Sequence, residues 1–78
     1  VKHHQDAIRL ARVRHAAANG KAKQLREAAR LSLSEVGAYC GVDQSTVWRW
    51  ENGLRTPRGE PALKYARLLE TLPLGAEP

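Results

Sequence analysis

Two short runs of apolar residues at helical spacing, joined through a glycine, occupy residues 33–52, LSEVGAYCGVDQSTVWRWEN. Val36 and Cys40 lie four apart, so they stack on one face of a helix and point inward together. Ahead of them, Ser32-Leu33-Ser34-Glu35 has the form of a capping box. The Ser32 hydroxyl accepts from the Glu35 amide while the Glu35 carboxylate accepts from the Ser32 amide. A helix is therefore predicted from Leu33. Gly41 permits the left-handed backbone that ends it. Val42 fills the corner, and Asp43 is a strong N-cap for a second helix over residues 44–52, which Gly53 stops. In that second run Val47 and Trp50 are three apart and face the core, and Gln44, Ser45, Trp48 and Arg49 share the other side. A helix face that is merely solvated would carry Glu and Lys there, and Trp48 would be an awkward exposed ring. Such a face usually has a partner.

The flanking pattern adds three more helices. Residues 3–18 read as a helix of Ala, Leu, Ile, Val and Arg that Asn19-Gly20 ends. Leu10, Val13 and Ala17 form one stripe, widened by Ala7 and Ala11, and Gln5, Arg9, Arg12 and Ala16 form another side. Three roles fit this modest amphipathicity: a core helix packed on the bundle, a phosphate-binding arm through Arg9 and Arg12, and a dimerisation helix. Residues 20–30 make a further helix with Leu25 and Ala29 inward. After the loop Leu54-Arg55-Thr56-Pro57-Arg58, Pro61 can occupy the first turn of a last helix. This places Leu63, Ala66 and Leu69 inward, with Tyr65 and Leu68 beside them, and Pro73 ends it. No run alternates with period two, so the fold class is all-α. The segments divide as residues 1–19, a basic N-terminal helix; 20–72, the compact domain; and 73–78, a tail.

The stretch TVWRWENG followed by RTP, with LREAARLSLSEVG before it and PALKYARLL after it, resembles the lambdoid phage repressor and Cro type of helix-turn-helix, the XRE family. The resemblance implies a compact bundle of about five helices, a lambda repressor-like DNA-binding domain with an extra N-terminal helix. It implies that Arg26 pairs with Glu51 in a partly buried ion pair tying two helices together, a phosphate contact being the alternative for Arg26. It also implies that Arg55 clamps the backbone from the loop and that Arg58 reaches toward the minor groove. Two positions depart from the family's pattern. Leu33 stands where a glutamine often braces the reading glutamine, and Gly37 stands in place of alanine at the helix-helix contact. Thr71 to Pro78 also offers little of the fifth helix that many members use to dimerise.

Composition narrows the chemistry. Seventy-eight residues make one domain, too small for an enclosed catalytic cleft with a second layer around it. No paired carboxylates, Ser-His or Cys-His arrangement or phosphate-cradling glycine loop has a usable spacing, so an enzyme is not expected. His3 and His4 are adjacent and cannot share a helical face, and His15 stands alone, so neither a metal site nor a cofactor is expected. Cys40 falls at an inward position and reads as a small core hydrophobe. No stretch is apolar enough to span a bilayer and no signal peptide is evident, which leads to the expectation of a cytoplasmic protein in a bacterial or phage-infected cell. The net charge of +5 is unevenly spread. Residues 1–31 hold eight Lys or Arg against Asp6 and Glu27, and residues 32–78 hold five against six acids. The basic excess is N-terminal.

Geometry and resemblance together predict a sequence-specific regulator of transcription that binds double-stranded DNA, a repressor of the Cro or immunity type, with helix 44–52 in the major groove. Gln44 can bond adenine N6 and N7 together, and Arg49 can pair bidentately with guanine O6 and N7. Ser45 can bond either edge, and Trp48 can lie against a thymine methyl or a sugar. Thr46 and Asn52 fit backbone contacts. Both a homodimer on an inverted repeat and a monomer on one half-site remain open, and no small-molecule ligand is evident. The alternative is an antitoxin-like interaction protein that autoregulates through the same motif and captures a protein partner with its N-terminal helix.

Overall fold

Each turn between helices is set by a residue that leaves the helical region of backbone space, and these turns decide which faces meet. The computed structural model describes residues 2–72, with side chains from His4 onward. Five helices are present, α1 (Lys2–Ala18), α2 (Lys21–Ala28), α3 (Leu33–Cys40), α4 (Gln44–Glu51) and α5 (Gly59–Thr71), and no strand occurs among the described residues. The all-α bundle expected from the sequence is thus the fold observed.

The capping box at the start of α3 is formed, with Glu35 N donating to Ser32 Oγ at 3.0 Å and Ser32 N donating to Glu35 Oε1 at 2.9 Å. Gly41 adopts φ 81° and the Val42 amide turns back to the Gly37 carbonyl, which closes α3 and swings the chain into α4. The helix pair is close because Gly37 has no side chain. A Cβ built there would stand 2.7 Å from the Val42 carbonyl oxygen.

Helix α2 is shorter than the expected 20–30. It ends at Ala28 because Arg30 takes a left-handed φ of 61°, with the Arg30 amide bonded to Glu27 O and the Leu31 amide to Arg26 O. This pair of backward bonds satisfies carbonyls that a helix end leaves free. Asp43 occupies the N-cap of α4 by its backbone, but its side chain accepts no capping bond. The expected strong cap is therefore positional only. The amides of Gln44 and Ser45 have no acceptor among the described residues.

The core joins all five helices. Val13 and Ala17 of α1, Leu25 of α2, Val36 and Cys40 of α3, Val47 and Trp50 of α4 and Tyr65 and Leu69 of α5 belong to one buried cluster. The Trp50 and Tyr65 rings lie 4.7 Å apart between centroids, tilted by 31°, a spacing at which offset aromatic pairs add to simple burial. Two assignments of face are corrected. In α1 Ala7 and Ala11 are exposed, and the buried stripe of Val13 and Ala17 widens instead toward Ala16, which packs on the core. In α5 Ala66 and Leu69 are buried as expected with Tyr65 beside them, but Ala62 is fully buried and Leu63 only half so, so Ala62 takes the inward place expected of Leu63. The apolar content of α1 is mostly alanine, which gives a broad shallow preference, so the rotation of α1 is set by what it packs against.

Candidate DNA interface

Helix α4 separates its side chains cleanly. Val47 and Trp50 are 0 % and 3 % exposed, whereas Gln44, Ser45 and Arg49 are exposed and Trp48 is 48 % exposed. The face that carries Gln44, Ser45, Trp48 and Arg49 therefore holds two groups suited to base edges, a hydroxyl and an aromatic ring, with no acidic residue among them. Thr46 is half-buried beside this face. It lines an open hollow of about 370 Å³ together with Arg55, Thr56 and Arg58 of the following loop. Arg49, Arg55 and Arg58 have no carboxylate within 4.0 Å among the described residues. At the end of α4, Asn52 Nδ2 donates to the Trp48 carbonyl at 2.8 Å, which ties its amide nitrogen to the helix, and its oxygen has no hydrogen-bond partner among the described residues. Leu33 is half-buried against the core, and the Gln44 side chain makes no hydrogen bond among the described residues.

The single acid of α4 is turned inward. Glu51 Oε2 accepts from Arg26 Nε at 2.6 Å and Glu51 Oε1 accepts from Arg26 Nη2 at 3.0 Å. The two side chains are only 2 % and 11 % exposed. Arg26 Nη1 also donates to the Leu31 carbonyl at 3.0 Å, so the fork of donors is used on three acceptors. The hydrogen bonds that Arg26 donates to the Glu51 carboxylate hold its guanidinium above its ordinary pKa, against the opposing effect of burial. A bidentate pair at this depth locks α2 to the end of α4 and removes the Glu51 charge from the exposed surface of α4.

Other charged positions sort themselves by their neighbours. Arg9 Nε lies 3.2 Å from Glu70 Oε2, so Arg9 is engaged with α5, and Arg12 is exposed on that same side of α1. Arg14 is a residue that pattern reading passed over. Its Nε donates to the Pro57 carbonyl at 2.8 Å, in the loop after α4. No local signal links position 14 to position 57, because the contact spans 43 residues and exists only once α1 has packed. Cys40 is buried, and that burial pushes its thiol up to about 11, away from reactive thiolate. Among the described residues no three His, Cys, Asp or Glu side chains are grouped to hold a metal ion, and no helix is long and apolar enough to cross a membrane.

Two helices meeting at a Gly41-Val42 corner, with the second exposing a polar and basic face, define a helix-turn-helix domain. Residues 23–75 match the family model described as helix-turn-helix, and the chain belongs to that family, the XRE group of DNA-binding transcriptional regulators. No curated protein and no solved structure matches the chain significantly. Helix α1 precedes the matched segment entirely.

Proposed function

We propose that this protein is a sequence-specific repressor, of the Cro or immunity kind, that places α4 in the major groove of duplex DNA. The observation that carries the reading is the division of α4, whose buried Val47 and Trp50 fix the orientation in which Gln44, Ser45, Trp48 and Arg49 stand outward. The N-terminal end of α4 leads into the groove, where its unpaired amides and positive dipole end meet the phosphates. Gln44 reads adenine through N6 and N7, and Arg49 reads guanine through O6 and N7. Ser45 and Trp48 complete the reading face with a hydroxyl and a surface for a thymine methyl or sugar. Thr46, the free oxygen of Asn52, Arg55 and Arg58 hold the backbone and set the register. Repression needs nothing beyond this surface, since a protein seated on a promoter blocks polymerase by occupancy.

The antitoxin-like alternative draws less support from the geometry. It requires α1 to offer its apolar stripe to a partner protein, and Val13 and Ala17 are already spent on the intramolecular core. The test is a reporter promoter that carries a site enriched by this protein from a randomised duplex pool, assayed with the wild type and with Arg49→Ala. Repression lost with Arg49→Ala supports the proposal. Repression unchanged by that substitution contradicts it.

A further inference from the structure

Helix α1 lies outside the segment that defines the family, yet it is fastened to the loop that follows α4. Arg14 Nε donates to the Pro57 carbonyl at 2.8 Å, which uses one donor and leaves both terminal nitrogens of the guanidinium. Arg14 is exposed, and neither Arg14 nor Arg55 has a carboxylate within 4.0 Å among the described residues. Both arginines, with Thr56, line one open hollow of about 110 Å³ at the junction of α1, the end of α4 and the loop. A water occupies about 30 Å³ of the liquid, so the hollow has room for one tetrahedral oxyanion. Two unpaired guanidinium groups and a threonine at its rim match the charge and the hydrogen-bonding capacity of a phosphate. Trp50 and Pro57 give it an apolar floor.

From this geometry we propose that Arg14, Arg55 and Thr56 form a phosphate subsite, in which α1 adds a contact to the DNA backbone beside the one the loop makes. Arg14 is held in place by its bond to Pro57, so its terminal nitrogens are presented without the freedom of a surface side chain. The subsite rests on the DNA-binding reading above and gives α1 a defined role in it. The two arginines of α1 singled out from the sequence, Arg9 and Arg12, are on the α5 side and take no part.

The test is the salt dependence of binding to a selected duplex and to a random duplex, for wild type, Arg14→Gln, Arg14→Lys and Arg12→Gln. Removing one phosphate contact lowers the slope of log K against log salt by about 0.9. The advantage of wild type over Arg14→Gln therefore shrinks about 3.5-fold between about 50 and 200 mM salt, by the same counterion-release relation. The loss is equal on both duplexes, because a phosphate carries no sequence. Glutamine keeps a donor for the Pro57 carbonyl, and lysine keeps the charge, so Arg14→Lys retains the slope if the contact is electrostatic. A wild-type slope in Arg14→Gln, or an equal fall in Arg12→Gln, overturns the subsite. Failure of the wild type to bind either duplex strikes the DNA-binding reading itself. Matching thermal melts of all four proteins separate these results from loss of fold.

Discussion

At the scale of single residues, three buried polar groups behave differently, and the differences can be measured. The Arg26–Glu51 pair is bidentate and nearly dry. Breaking such a pair strands a charge, so Glu51→Leu is expected to cost about 3–5 kcal/mol in a denaturant melt. The Tyr65 hydroxyl is buried without a hydrogen-bond partner, and burial with the nearby Glu51 charge pushes its pKa up. An unsatisfied buried group costs about 1–3 kcal/mol, so Tyr65→Phe is expected to keep or raise the melting temperature. A fall of several degrees would mean that the hydroxyl is bonded after all. Burial pushes the Cys40 thiol up to about 11 in the fold, against about 8.5 in an unfolded chain. Its folded pKa is raised, so its contribution to stability is whole below pH 8.5 and is lost as the pH climbs toward 11. A thiol reagent at pH 8 is expected to label Cys40 only in denaturant. The inward positions of Val36, Cys40, Val47 and Trp50 were all readable from spacing. The missing Asp43 capping bond was not, because a residue type marks the position of a cap without fixing its rotamer.

At the scale of elements, the α3–α4 corner is where local propensity and packing disagree. Alanine at position 37 would favour α3 by about 1 kcal/mol on propensity alone. Its Cβ would nevertheless meet the Val42 carbonyl oxygen at 2.7 Å and the Asp43 carbonyl carbon at 3.3 Å, both backbone atoms. The contact wins. Gly37→Ala is expected to destabilise the fold by about 1–3 kcal/mol, the range for overpacking, and to weaken DNA binding by shifting the start of α4. A more stable Gly37→Ala protein would show that the corner relaxes freely. The capping box and Gly41 made the ends of α3 legible in advance, since each is a side-chain or backbone requirement within four residues. The end of α2 was less legible, as Arg30 adopts a left-handed φ that glycine or asparagine would normally announce.

For the whole molecule, α1 decides the account. Sequence periodicity allowed it to be core, arm or dimer contact, because its apolar content is mostly alanine. The structure seats Val13 and Ala17 in the common core and fastens Arg14 to the loop after α4. Deleting residues 1–19 is therefore expected to abolish cooperative thermal unfolding, read by circular dichroism, where a dispensable arm would leave the melt intact. The bundle and the exposed face of α4 follow from nearby residues, whereas the rotation of α1 and the Arg14–Pro57 bond depend on packing between segments far apart in the chain. The most direct test of the central claim is selection from a randomised duplex pool with the wild type, Gln44→Ala and Arg49→Ala. The expected result is an enriched motif in which each substitution erases preference at a different base pair, about 1–3 kcal/mol of discrimination apiece. No enrichment at physiological salt, or a motif that neither substitution alters, would contradict it.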